Sequence, residues 1–138
     1  NLLLWDQANL IYTSNKAPTQ RLESGDYGLS NAELGASWPK CLEGRDSLNR
    51  IISQDFTPQA LMDLLTDNHI PPDSALPKRG NPIDMERRLA CCFIKDEHYG
   101  TRASTALIIE EKKLQFEEQS YLANGVKSTR QRFTLELG

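Results

Sequence analysis

The sequence predicts an α+β fold in which antiparallel sheets carry helices on their faces. Three observations predict it. Short apolar runs separated by polar turns open the chain, the pattern of a hairpin. Two stretches at helical spacing occupy its centre. The last third alternates apolar and polar residues, as a sheet with one buried and one wet face does. Strands segregated from helices in this order suggest antiparallel pairing with helices packed on a face.

Residues 2–5 and 9–13 read as two strands joined at Asp6-Gln7-Ala8. Residues 15–19, with Pro18, form a loop, Ser24-Gly25-Asp26 a turn, and residues 27–31 a short strand. Residues 40–54 read as a helix, with Leu42, Leu48, Ile51 and Ile52 near helical spacing and Gly44 weakening its early part. Thr57-Pro58 opens a second helix, threonine as N-cap and proline at the first helical position. Leu61, Leu64 and Leu65 share its face, extended by Met62. Residues 68–84 hold Pro71, Pro72, Pro77, Pro82 and Gly80 and read as a long loop, a kind of segment that is usually functional or mobile beyond about 12–15 residues. Residues 89–94, 104–109, 114–121 and 129–137 read as strands. The last puts Phe133, Leu135 and Leu137 on a buried face and Arg132, Thr134 and Glu136 on a wet one.

At 138 residues the chain fits one domain, large enough to bury roughly 68–70% of its extended surface. Hydrophobic residues make up 38% and charged residues 25%, which excludes disorder, collagen and coiled coil. Sixteen basic against nineteen acidic side chains give a net charge of −3, which argues against a nucleic-acid partner gripped by its phosphates. Apolar runs stay far below the ~20 residues of a membrane span. Cys41, Cys91 and Cys92 are odd in number and two are adjacent; they read as free thiols in a reducing compartment, hence a cytoplasmic location. No Cys or His spacing suits zinc, so no metal and no cofactor is expected.

His69 and His98 stand alone and read as surface residues, and Glu110-Glu111, Lys112-Lys113 and Glu117-Glu118 as solvated turn and strand edges. There is no phosphate-cradling glycine loop and no GxSxG elbow. Cys41 lies near a helix start, where a thiol pKa falls; a buried structural cysteine is the commoner outcome. Cys91-Cys92 falls in an apolar strand, one side chain facing each way. Two clusters rise above this background: Gly28-Leu29-Ser30-Asn31 followed by Trp38-Pro39-Lys40, and Tyr99-Gly100-Thr101-Arg102. Asn31 donates from a neutral amide and Arg102 from a permanently charged planar fork. Such groups can hold a carboxylate or stabilise a developing oxyanion. The bland alternatives are that Asn31 satisfies turn backbone and that Arg102 makes a salt bridge.

The stretch Tyr27-Gly28-Leu29-Ser30-Asn31, then Trp38-Pro39-Lys40, resembles a "GLSN … W-K" motif, and Tyr99-Gly100-Thr101-Arg102-Ala103-Ser104-Thr105 resembles "YGTR-[ST]-x-T". Together they are the pattern of the NRDE family, also called the transport and Golgi organisation family, and the resemblance covers nearly the whole chain. It implies an Ntn-hydrolase-like αββα fold, two stacked antiparallel sheets between helical layers, distantly similar to the bile-salt and penicillin-acylase amidohydrolases. There a cysteine after the initiator methionine is the nucleophile and its own α-amino group the base, so no histidine is needed. By that analogy Asn31 matches the asparagine that stabilises the oxyanion and Arg102 the arginine near the nucleophile. Ser30, Trp38, Tyr99 and Thr101, from the same motifs, are the expected binding residues for an unidentified small-molecule substrate or ligand.

The family's N-terminal cysteine and its Asn-Arg-Asp-Glu motif are not among these residues, and Cys41, Cys91 and Cys92 lie inside the chain. Residues 1–138 are therefore expected to be the C-terminal portion of a single family domain, without amidohydrolase activity by themselves. Some family members are linked to haem or lipid handling and to Golgi organisation, so the alternative expectation is a ligand-binding or trafficking role. A partial domain exposes sheet surface, which favours a homo-oligomer.

Overall fold

In the computed structural model, which describes residues 1–138, β1 (Leu2–Trp5) and β2 (Leu10–Thr13) form the expected hairpin. Asp6 closes it. Its Oδ1 accepts the backbone N–H groups of Ala8 at 3.0 Å and Asn9 at 2.6 Å, and Gln7 takes the left-handed turn at φ 77°. β3 (Gln20–Leu22) adds to the free edge of β2, with Leu10 opposite Leu22. This strand was not expected, because three residues with one apolar side chain carry no period. The strand expected over residues 27–31 does not form. That stretch runs unpaired, and its Gly28 carbonyl accepts the Gly35 N–H at 2.9 Å instead of a strand partner.

α1 (Pro39–Ile52) and α2 (Pro58–Leu64) lie where expected. Thr57 caps α2, its hydroxyl accepting the Ala60 N–H at 3.2 Å. The next region is a correction. α3 (Ile83–Ala90) occupies residues assigned partly to loop and partly to strand, and residues 91–93 form bends rather than a strand. The helix is written in its charges: Asp84 and Glu86 in the first turn and Arg87 and Arg88 in the last complement its dipole. Its short apolar stretch is ambiguous between helix and strand, and four nearby prolines favoured reading loop.

β4 (Ala103–Glu110), β5 (Lys113–Tyr121) and β6 (Lys127–Glu136) make a second antiparallel sheet in the order β4-β5-β6. The chain is thus α+β, with two three-stranded antiparallel sheets, and α2 packs against both α1 and β4. Ser104 and Ala106 are buried while their alternates Thr105 and Leu107 are exposed. β6 is exposed along its whole length, with Phe133 and Leu135 more than half exposed. This overturns the buried face expected from its alternation: periodicity identifies which residues share a face, but not which face another element covers.

The core is built from Tyr12, Met62, Phe93, Ala106 and Tyr121, all under 5% exposed. Phe93 and Tyr121 meet edge to face, 4.7 Å between centroids at 83°. Gly125, at φ 71°, closes against this pair; a Cβ there would sit 2.8 Å from the Phe93 ring. At the β5 irregularity between Gln119 and Tyr121, the buried Gln119 amide donates to the Ser120, Ser128 and Thr129 carbonyls. No helix is long and apolar enough to cross a membrane.

Candidate functional site

Trp38-Pro39-Lys40 forms the entry to α1, with Pro39 at the first helical position. Lys40 reaches out of this turn and its Nζ donates to the carbonyls of Leu89 at 2.9 Å and Cys91 at 3.5 Å. That tether draws the start of α1 onto the end of α3, so residues fifty positions apart in sequence become neighbours. Gly28 allows the other approach. A Cβ at this position would lie 3.0 Å from the Cys41 Cβ and 3.1 Å from its carbonyl oxygen, so glycine lets residues 27–30 lie against the first turn of α1. Asn1 holds this segment from behind. Its amide donates to the carbonyls of Ser30 at 3.1 Å and Ala32 at 3.0 Å, and its Oδ1 accepts the Tyr12 hydroxyl at 2.7 Å.

These pieces enclose an open cleft of about 660 Å³, within the usual range of ~300–1,000 Å³ for small-molecule sites. Residues 27–30 form one wall, Lys40, Cys41, Gly44, Arg45 and Leu48 of α1 the second, and residues 63–67 at the end of α2 the third, with Cys92 between them. Lys40 and Arg45 balance Asp63 and Asp67, so the lining pairs apolar surface with two cations and two anions.

The thiols in this region are not primed nucleophiles. Burial pushes the Cys41 thiol above its ordinary range, opposed only partly by Lys40 and by a hydrogen bond with Ser30. This overrides the lowering expected at a helix start. Burial also raises Cys91 and Cys92. Cys92 is solvent-exposed as a residue, yet its thiol is crowded enough to be desolvated. Cys91 points inward and its Sγ donates to the Phe93 carbonyl at 3.1 Å.

The second motif folds on itself. Asp96 Oδ1 accepts the N–H groups of His98 at 2.9 Å and Tyr99 at 3.1 Å, and these bonds hold its carboxyl below the usual carboxylate range. Thr101 pairs with Ile94 twice: its N–H donates to the Ile94 carbonyl and its Oγ1 accepts the Ile94 N–H, each at 3.0 Å. Gly100 is required there, since a Cβ would lie 2.9 Å from that carbonyl oxygen.

Of the expected site residues, Ser30 lines the cleft; Asn31, Trp38, Tyr99, Thr101 and Arg102 do not. Thr101 closes a loop, and Trp38 is flanked by Lys40 and by Arg79, whose guanidinium carbon lies 5.1 Å from the ring centre. Tyr99 is 63% exposed. Asn31 and Arg102 are exposed, and their side chains form neither the turn bond nor the salt bridge of the bland alternative. His69 sits on the surface beside Glu43, 3.1 Å away. Glu117 is not a solvated edge residue: it is half-buried, paired with Arg130 and Arg132, and its carboxyl is held low by those arginines against the cost of burial. Gly44, Arg45, Asp63 and Asp67 carry no motif; only packing brings them to the cleft. No three His, Cys, Asp or Glu side chains are grouped so as to hold a metal ion.

No significant match is found among curated proteins or among solved structures. Residues 1–123, a span that includes both motifs and every residue of the cleft, match the family Transport and Golgi organisation 2. The chain belongs to the transport and Golgi organisation 2 family.

Proposed function

We propose that the cleft beside α1 binds a small amphipathic molecule, and that holding this ligand is the chain's part in transport and Golgi organisation. The cleft supports this reading: it is large enough for such a ligand, mostly preformed by the Lys40 tether and the Gly28 approach, and offers apolar surface beside the cations Lys40 and Arg45. The three free thiols support placing the protein in a reducing compartment such as the cytoplasm. Haemin and palmitate, each titrated against the 138-residue chain, test the reading. Saturable one-to-one binding of either is expected. Gly44→Phe is the blocking variant, because a side chain at position 44 meets nothing within 4 Å and projects from a residue of the lining. If neither probe binds, or if Gly44→Phe binds as well as the unaltered chain, the cleft is not the site.

A second reading rests on Asn31 and Arg102, whose exposed and unengaged side chains remain available to a substrate. In it, residues 1–138 are the C-terminal portion of an N-terminal-cysteine hydrolase of C–N amide bonds. Asn31 and Arg102 support the oxyanion, and the nucleophile lies outside these residues. The 138-residue chain then hydrolyses no amide by itself, and Asn31→Ala in the longer protein lowers turnover ~100-fold or more, as loss of an oxyanion donor does. Unchanged turnover in that variant removes the assigned role.

A further inference from the structure

The second sheet wears its polarity inside out. Its inward face carries the buried Ser104 and Ala106 and the ion cluster of Glu117 with Arg130 and Arg132. Its outward face carries two apolar rows bordered by a polar row of Thr105, Glu118 and Gln131. Leu107 pairs with Phe116 and Phe116 with Phe133; one step along, Ile109 pairs with Leu114 and Leu114 with Leu135. These six side chains form two adjacent rows across all three strands. Leu107 is 52% exposed, Ile109 39%, Phe133 53% and Leu135 57%, and no element of the chain covers them.

We propose that this face packs against the same face of a second copy, sheet on sheet. Two features select that partner. The first is area. The four exposed side chains, with the half-buried Leu114 and Phe116 between them on the central strand, form a patch on the ~300–600 Å² scale of the largest patch on a typical monomer. That is also what the apolar part of a standard interface requires, given ~800 Å² per partner of which ~65% is apolar in homodimers. The second is self-complementarity about a twofold axis. An axis running across the strands, midway between the two rows, lays each row on the other row of the partner. Phe116 then faces a leucine at 114 and Phe133 a leucine at 135, so large side chains meet smaller ones, and Leu107 faces an isoleucine of equal size at 109. The same axis brings the Glu118 end of each sheet over the Glu110-Glu111-Lys112-Lys113 turn of the other and sets Glu118 against Lys112 at the rim. β6 also buries a face that its exposure leaves open to aggregation.

The test is the mass of the full 138-residue chain by sedimentation equilibrium across a concentration series. The expected result is a species of twice the 15.6 kDa chain mass. Phe133→Glu and Leu107→Lys, both at exposed positions, should each weaken association ~100-fold or more, since each sets an unpaired charge against an apolar side chain on both sides of the axis. Circular dichroism with the far-ultraviolet spectrum of the unaltered chain and a cooperative thermal transition shows that each variant folds, whatever its midpoint. Leu3→Glu, on the exposed β1, should leave association unchanged. A chain that stays monomeric overturns the proposal. So does a dimer that Leu3→Glu dissolves while Phe133→Glu and Leu107→Lys do not, which would place the interface on the first sheet.

Discussion

Glu86 and Arg79 are joined inside the segment that leads into α3. Glu86 is 4% exposed. Its Oε2 accepts Arg79 Nε at 2.7 Å, and Arg79 Nη2 lies 2.6 Å from the same oxygen but off the hydrogen-bond line, so that contact is electrostatic. Its Oε1 accepts the Arg79 N–H at 3.1 Å, the Asn81 N–H at 3.3 Å and the Asn81 amide at 3.1 Å. One carboxylate thereby organises the turn between Pro77 and Pro82, and places the Arg79 guanidinium beside Trp38 at the mouth of α1.

Burial alone would raise the Glu86 pKa, but the hydrogen bonds from Arg79 and Asn81 outweigh it and hold the carboxyl below its ordinary value. A depressed folded-state pKa stabilises the fold above the unfolded value, near ~4.3, and that stability is lost as pH falls through the folded-state value. Glu86→Gln should therefore lower the thermal midpoint by several degrees at neutral pH, leaving Arg79 without its counter-charge. The gap between variant and unaltered chain should narrow as pH falls below ~4. A gap that is constant from pH 7 to pH 3 in thermal melts would refute the electrostatic role.

Two glycines should respond to alanine with opposite sign. Gly44 lies inside α1 with open space around its Cβ direction, so Gly44→Ala should stabilise by about 0.5–1 kcal/mol through helix propensity. Gly125 sits at φ 71° with the Phe93 ring 2.8 Å from its Cβ position, so Gly125→Ala should destabilise by about 1–3 kcal/mol. Urea denaturation of both variants reads the two signs directly.

Tyr12 is fully buried and its hydroxyl donates to Asn1. Tyr12→Phe should cost about 1 kcal/mol. The loss should be coupled to Asn1→Ala, because the same Asn1 amide holds Ser30 and Ala32. A double-mutant cycle by chemical denaturation should give a coupling of about 0.5–1 kcal/mol. Strict additivity would show that the Tyr12–Asn1 hydrogen bond contributes no energy.

With all three thiols raised by burial, iodoacetamide should alkylate the native chain at pH 7.5 more slowly than it alkylates glutathione, because the thiolate reacts. Cys92, the exposed one, should react first. Peptide mass mapping against time checks the order. Cys41 reacting first would mean that the start of α1 activates it after all.

The residues that announce themselves in the sequence are those whose chemistry is local. Thr57-Pro58 specifies the start of α2 because the cap and the proline act within one turn. Asp6 specifies the first hairpin turn because its carboxylate bonds the next two N–H groups that follow Gln7. Gly28 and Gly100 stand in recognisable motifs because close backbone approach tolerates no Cβ. α3 was hidden because eight residues after four prolines present a period too short to read, although its first-turn acids and last-turn arginines were in view.

The sequence by itself determined the α+β class, the hairpin, α1, α2, the antiparallel C-terminal strands and the family, since each depends on propensity, caps, alternation or a contiguous motif. Tertiary structure alone decided the rest. Lys40 crosses to the carbonyls of Leu89 and Cys91 and so brings Cys41 and Cys92 to one cleft. Packing against α2 decided which face of the second sheet is covered and left Phe133 and Leu135 exposed. The physical reason is the same in both cases: alternation and spacing fix a side chain's direction relative to its own backbone, whereas burial depends on what a distant segment brings to meet it.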